Sequence, residues 1–596
     1  MKEDADQQWD LSAFFPDADS AEFHCYVQAL RDGIAEFDVV VEKALAPGSF
    51  DVERWADALL NLEELESRRD HLFAYVEFYR AVNPADDVTT RTVNNSLLTN
   101  AALKVSRARL LSAFGTLDDD GRRALYSHPR LADAKLVLDI LHFEAASILP
   151  EGEETLVHAL AIDGLHRWSR LAAATLSATT VPITWPNGER EDVASSLRHE
   201  LLWDPSPEIR RSAFEGMNRE MERQSLVLAN CINGVAGFEL SIAKRRGIDM
   251  VETAIRQNGI RRATAETMFA AVKRFAPTLH RYLTLKAKLL GLEALGIQDR
   301  SAPIPARELE SFVYAEARER ILGSLRGVSD GLAEHATELF RARHIEAVMR
   351  PGRQSGGFCM SSPIARQSRV FVNYGESFNS VTMLAHEIGH AFHNYANFGL
   401  RPWRQLPPST MCETAAILYE HILRRSISHD ESASPEARRG ALGAHLDAAV
   451  NYLIRLPRDF EFEVEFLNRR KDGDLSVSQL CELARTMHAE WFGSALKNDD
   501  GDQWGWAYNR FLMDPDLRLY NFPYTFAFLL SIRIADRFEA EGNAFFETYR
   551  AFLNASGSVP VEEAVLSTLG YDITDASFWD DALSRVAADI EILEAF

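Results

Sequence analysis

Almost the whole chain carries apolar residues at helical spacing, with few residues that stop a helix. Its 596 residues include only 32 glycines and 22 prolines, and these fall at breaks between long periodic segments. That pattern calls for a mainly α-helical fold. Helices are expected at 88–114, 207–246, 262–294, 309–326, 328–348, 411–427, 439–466 and 476–498. Val93, Leu97, Leu98, Ala101, Leu103 and Val105 form the apolar stripe of the first, and the second ends near Gly247. Two places read as β. Val181–Trp185 and Glu189–Val193 flank Pro186-Asn187-Gly188, whose Asn-Gly suits the positive φ angles of a tight hairpin. Residues 351–377 are the other, with Gly352, Gly356 and Gly357 as a loop and 368–374 alternating like a strand.

Composition narrows the class. Apolar residues make up 46% and charged residues 26%, as in an ordinary globular protein. At about 150 residues per domain the length suits three to four domain-sized units or one large multi-lobed enzyme. A boundary is placed between an N-terminal region, 1–195, and a second region, 196–596, where Asp204-Pro-Ser-Pro starts a new helical series. The net charge of −24 repels phosphate backbones and anionic lipid, so neither nucleic acid nor a membrane surface is an expected partner. Cys25, Cys231, Cys359, Cys412 and Cys481 are scattered, odd in number and without a CxxC pair. They fit a reducing, cytoplasmic setting rather than a disulfide framework. The acidic start, MKEDADQQWDL, reads as neither signal nor transit peptide, and no run approaches the roughly 20 apolar residues of a membrane helix.

The chemistry concentrates at His386-Glu387-Ile388-Gly389-His390. Asn379 can cap the helix expected there, and Val381, Leu384, Ile388 and Phe392 give it an apolar stripe. Two histidines four apart project from one helix face and can bind one Zn²⁺, and the adjacent Glu387 can act as a base on water. An accidental HExxH on a solvated helix is the competing reading. A third ligand is needed. Ala396 stands where a metzincin would place its third histidine, so that solution fails. Glu413 opens a following, otherwise apolar helix, which suits a His₂Glu site, although a solvated glutamate near a helix start is common. Glu420, two turns further on the same face, can orient a histidine ligand or form a surface ion pair. His393 shares the HExxH face and can support the site or make a core hydrogen bond. Cys359 and Cys412 read as buried and inert.

Together, Gly356-Gly-Phe-Cys-Met-Ser, Arg369-Val-Phe-Val-Asn and Thr382-Met-Leu-Ala-His-Glu-Ile-Gly-His-Ala-Phe-His393 resemble the M3 metallopeptidases, nearest the oligoendopeptidase F branch. Trp9-Asp-Leu-Ser and Tyr520-Asn-Phe-Pro-Tyr-Thr-Phe extend the likeness over nearly the whole chain. The resemblance implies two helical lobes flanking a deep substrate channel, with a small β-sheet beside the HExxH helix in a zincin-type site. It implies one zinc per chain on His386, His390 and Glu413, with Glu387 as base, and hydrolysis of internal bonds in short unfolded peptides by a monomer or weak homo-oligomer. It makes 1–195 the N-terminal helical region and 196–596 the catalytic region. It assigns Gly356, Gly357, Val370 and Phe371 to backbone pairing with an extended peptide, and oxyanion support to Tyr524 or Tyr520, whose alternative is core packing. The chain departs from the family pattern twice: Arg510-Phe-Leu-Met stands where an upstream histidine is usual, and Ala527-Phe528 replaces a Gly-Tyr. Two rival functions share the motif: a zinc hydrolase of a non-peptide amide or ester, and a catalytically impaired peptide-binding protein. A purely structural zinc site fits poorly, because such sites are closed by four protein ligands.

Overall fold

The computed structural model describes residues 7–44, 50–84, 86–197, 201–309, 311–349, 356–497 and 502–596. Gly352 lies outside them. The elements used below, in chain order, are helices α1 (Ala21–Ala44), α2 (Val52–Val82) and α3 (Asp87–Phe114), strands β1 (Thr180–Thr184) and β2 (Arg190–Ala194), helix α4 (Pro207–Arg246), strands β3 (Ile345–Glu346), β4 (Gly357–Ser362) and β5 (Gln367–Val372), and helices α5 (Phe378–Asn397), α6 (Ser409–Ser428), α7 (Leu456–Arg470) and α8 (Phe522–Glu541). The fold is mainly α. The chain forms two compact units, one of Met1–Glu151, Ser311–Leu423 and Ile534–Tyr571, the other of Gly152–Glu310, Arg424–Arg533 and Asp572–Phe596.

In the first unit α1, α2 and α3 pack side by side. Asp51 starts α2 by accepting from the Glu53 and Arg54 amides, which satisfies amides that the first turn cannot. Most of the stripe that betrays α3 as a helix is on its outside, although Leu103 is buried in the core. Leu97, Leu98 and Val105 are 52%, 67% and 60% exposed, while Thr92, Ser96, Thr99 and Ser106 are buried towards its neighbours. Small hydroxyl side chains allow that burial because they bond back to their own helix: Ser96 to the Val93 carbonyl, Thr99 to Asn95 and Ser106 to Ala102.

The three-stranded sheet of this unit has the order β3-β5-β4. β3 is parallel and β4 antiparallel to β5, with Phe358 opposite Phe371. One face packs on α2, where Phe78 and Phe358 stack 6.5 Å apart, and α5 also packs against β4 and β5. The outer side of β3 is covered by residues 7–10: the Asp10 amide donates to the Arg343 carbonyl (2.8 Å) and the Ala347 amide to the Gln7 carbonyl (2.7 Å). No further strand pairs with the outer side of β4 among the described residues.

The sequence reading differs from the structure at several elements. The segment expected as one helix over 328–348 stops at Arg341 and turns into β3. The glycines expected as a loop include Gly357, which opens β4. In the second unit the β1–β2 hairpin forms as expected around Gly188, whose φ is 84°. The helix expected at 439–466 is broken by a π-helical turn at Asn451–Arg455. α4 ends at Gly247 in the left-handed conformation expected of that glycine. Contrary to expectation, α4 is long and apolar enough over an 18-residue window to cross a membrane by length and composition. Its buried Leu228, Ile232, Val235 and Ala236 give that character a core function instead.

Candidate metal centre

α5 begins one residue after Ser377, whose hydroxyl accepts from the Ser380 amide; Ser377, not Asn379, is the cap. Its inward face carries His386, Glu387 and His390, and α6 crosses it carrying Glu413 and Glu420. The crossing is close because residue 389 is glycine. A Cβ there would lie 2.7 Å from both the Ala415 carbonyl oxygen and the Ala416 Cα, inside any normal contact distance. Gly389 therefore lets the two backbones touch, and that approach sets the glutamates of α6 against the imidazoles of α5.

Glu413 Oε2 lies 3.4 Å from His386 Nε2 and 3.7 Å from His390 Nε2. The imidazole rings stand at 86° with centroids 4.8 Å apart. Ligands at about 2.0–2.1 Å in a tetrahedral shell are about 3.3–3.4 Å apart, so these atoms suit one small divalent cation. Within the described residues, His386, His390 and Glu413 are the group of metal-ligating side chains that converges in this way. His386 Nδ1 lies 2.7 Å from Glu420 Oε1 and donates there, so Nε2, which faces Glu413, is the nitrogen that would offer its lone pair to a cation.

The electrostatics favour a cation. Glu387, Glu413 and Glu420 are 6%, 7% and 5% exposed. Three buried carboxylates around two imidazoles leave negative charge that is costly without a positive partner. Burial pushes Glu387 up to about 7; His386 opposes that shift, while Glu413 and Glu420 add to it. Glu387 Oε2 has no hydrogen-bond partner among the described residues. Burial works against the charged form of His386, yet hydrogen bonds to Glu413 and Glu420 raise it well above its usual value. Burial holds His390 down at about 4.

The remaining expected site residues divide. Gly357 sits against the base candidate: a Cβ on it would lie 3.1 Å from Glu387 Oε1. Gly356, with φ 89°, precedes it, and its carbonyl accepts from the Asn373 amide. Val370 and Phe371 are corrected. Both lie on the central strand β5, fully buried and paired to β3 on one side and β4 on the other. Their backbones are taken by the neighbouring strands, which leaves them none for a peptide; the edge strand is β4, which sequence reading missed because a short glycine-led segment resembles a loop. His393 is buried and bonds through Nε2 to Ser556 Oγ at 2.8 Å, and burial holds it at about 3. Tyr520 and Tyr524 belong to the second unit, their hydroxyls 2.9 Å apart. There Phe528 is 1% exposed between His445 and Tyr452, and Tyr452, not singled out from sequence, stacks parallel to Tyr524 at 6.3 Å. Cys359 and Cys412 are partly buried, and burial pushes both thiols up, Cys412 to about 12.

Comparison with known proteins identifies the family. The model of peptidase family M3 matches residues 201–585. Group B oligopeptidase PepB of Streptococcus agalactiae is 25% identical over 405 residues, 66% of this chain and 65% of that protein. Oligopeptidase PepF of Bacillus subtilis is 22% identical over 551 residues, 86% and 79% of the two chains. The crystal structure of oligoendopeptidase-F from Enterococcus faecium superposes with a TM-score of 0.71 at 18% identity, covering 96% of this chain and 98% of that one. The family match spans more than half of the chain and contains the whole His386–Glu420 constellation, so the chain belongs to peptidase family M3, as an oligoendopeptidase F-like member.

Proposed function

We propose that the protein is a zinc-dependent oligoendopeptidase that hydrolyses internal bonds of short unfolded peptides. The observation that carries this reading is the buried convergence of His386, His390 and Glu413 beside Glu387, whose Oε2 has no hydrogen-bond partner among the described residues. The first three would hold the ion, and Glu420 would orient His386. Bound there, Zn²⁺ would supply Lewis-acid polarisation and acidify water.

The chain's own residues do the rest. Glu387 takes the proton of the attacking water and returns it to the leaving amine. Gly357, which has no side chain, leaves the approach to Glu387 clear. The outer edge of β4 offers unpaired backbone groups to an extended peptide, which supports affinity with little reading of sequence. Support of the oxyanion by Tyr524 or Tyr520 rests on the family resemblance.

The test uses Glu387→Gln with a quenched fluorescent peptide and metal analysis. The variant is expected to keep stoichiometric zinc and to lose turnover by about 10²–10⁴-fold. Normal hydrolysis by it would reject the assignment, as would undiminished activity of the unmodified protein after chelation.

A further inference from the structure

The backbone leading into Tyr520 is strained and is held by a buried ion cluster within the second unit. Leu519 has a φ of 55°, in the left-handed region where a side chain crowds its own carbonyl. Arg343, Arg366 and Glu376 also have positive φ among the described residues, but Leu519 alone of the four is a fully buried apolar side chain. Its amide donates to Glu463 Oε1 at 3.1 Å. The same oxygen accepts from Arg518 Nη1 at 2.9 Å, and Arg518 gives Nε and Nη2 to Glu239 Oε2 at 2.9 and 2.6 Å. Arg518 also reaches the Leu512 carbonyl at 3.1 Å. Glu463 on α7 is fully buried, and its Oε2 has no hydrogen-bond partner among the described residues.

One fully buried and one partly buried carboxylate on one guanidinium leave a surplus of negative charge, and burial accordingly pushes Glu239 and Glu463 up against the pull of Arg518. Such a cluster is a costly way to hold a surface turn. Backbone strain persists only where its surroundings over-determine it, and it concentrates where a side chain must be aimed. The side chain aimed here is Tyr520, next in the chain, whose hydroxyl meets that of Tyr524 at 2.9 Å.

We propose that Glu463 and Arg518 are positioning residues: by holding Leu519 in its left-handed conformation they fix the Tyr520 hydroxyl against that of Tyr524. The proposal rests on the peptidase reading above, since the hydroxyl pair matters to turnover only if it takes part in the reaction.

The experiment is a double-mutant cycle in the full-length zinc-loaded protein. Glu463→Leu removes the oxygen that accepts from the Leu519 amide and leaves Arg518 its bond to Glu239. It is expected to lower kcat by about tenfold with KM within about twofold. In a Tyr520→Phe background the same substitution should change kcat by less than about twofold, because the hydroxyl it positions is gone. The shift in melting temperature should be equal in the two backgrounds. Arg518→Lys, which keeps the charge and loses the fork, should repeat the pattern. An equal loss of kcat in both backgrounds, or no loss in either, overturns the proposal. If the unmodified protein hydrolyses no peptide, the peptidase reading fails, and the positioning claim is then read by ¹⁹F NMR of 3-fluorotyrosine-labelled protein. There Glu463→Leu must shift the Tyr520 resonance, assigned by its loss in Tyr520→Phe; an unmoved resonance overturns the claim.

Discussion

Replacing Gly389 by alanine tests whether the crossing of α5 and α6 builds the metal centre. The new methyl carbon would stand 2.7 Å from the Ala415 oxygen and 2.7 Å from the Ala416 Cα. Ordinary contacts of these types are about 3.3–3.8 Å, so the helices must part by about 0.6–1 Å. Both obstructing atoms are backbone, and no rotamer change relieves them. Parting carries Glu413 away from His386 and His390, which now lie 3.4 and 3.7 Å from its Oε2. A tetrahedral ion needs about 3.3–3.4 Å there, so one metal bond is lengthened or lost. Overpacking costs about 1–3 kcal/mol, against about 1 kcal/mol that alanine gains over glycine within a helix, leaving a net loss of about 0–2 kcal/mol in the metal-free protein. Zinc affinity has no such offset and is expected to fall by about 10–100-fold, the range seen when a ligand's support is removed. Competition with a chromogenic chelator measures the affinity, and denaturant unfolding of the metal-free protein measures the stability. Gly399→Ala, where a Cβ would meet nothing within 4 Å, is the control. Zinc affinity for Gly389→Ala within about twofold of the unmodified protein would refute the reasoning, whatever the stability.

Three further outcomes follow from the same structure. Glu420→Gln weakens the 2.7 Å bond that orients His386 and should reduce zinc affinity by about tenfold or more in the same competition assay. Phe528→Tyr, which restores the residue usual in the family, buries a hydroxyl at a site 1% exposed; it should cost about 1–3 kcal/mol in denaturant unfolding and bring no gain in kcat. His71 is buried with Nδ1 2.7 Å from Ser362 Oγ, and burial lowers it from 6.5 to about 4. The unfolded chain therefore takes up the proton first: the contribution of His71 is complete above pH 6.5 and is lost as pH falls towards 4. Stability should drop by up to about 1.4 kcal/mol per pH unit from this group across that window, and His71→Gln should flatten the slope of unfolding free energy against pH.

What could be read from sequence was set by local chemistry. His386 and His390 declared a shared helix face by their spacing, and the isolated Glu413 in an apolar segment pointed to a partnered carboxylate. The ends of α4 were legible because Ser206-Pro207 and Gly247 carry standard capping chemistry. The apolar stripe of α3 gave the right helix but only part of its inward side, Leu103 being buried and Leu97, Leu98 and Val105 exposed, since periodicity reveals a face and not what covers it; buried Thr92, Ser96 and Thr99 look polar in a sequence and satisfy themselves locally in the fold. β3 was missed because two residues are too few to establish an alternation, and β4 because its glycine-led start resembles a loop. Val370 and Phe371 were given to a ligand because an exposed edge and a central strand differ only in their neighbours, which come from elsewhere in the chain. The contact at Gly389 was hidden for the same reason: a glycine inside a helix signals a close approach only once the approaching chain is known.

The way residues 7–10 cover β3 reaches beyond the N-terminal segment itself. With one flank of the sheet sealed, the peptide pairing proposed above has one flank left among the described residues, that of β4 beside Glu387. Pairing is directional, so a guest seated antiparallel to β4 has its N-to-C sense decided before any of its side chains is inspected. Which bond is presented to the base then depends on how far the guest slides along its track, and selectivity becomes a matter of polarity and reach more than of residue identity.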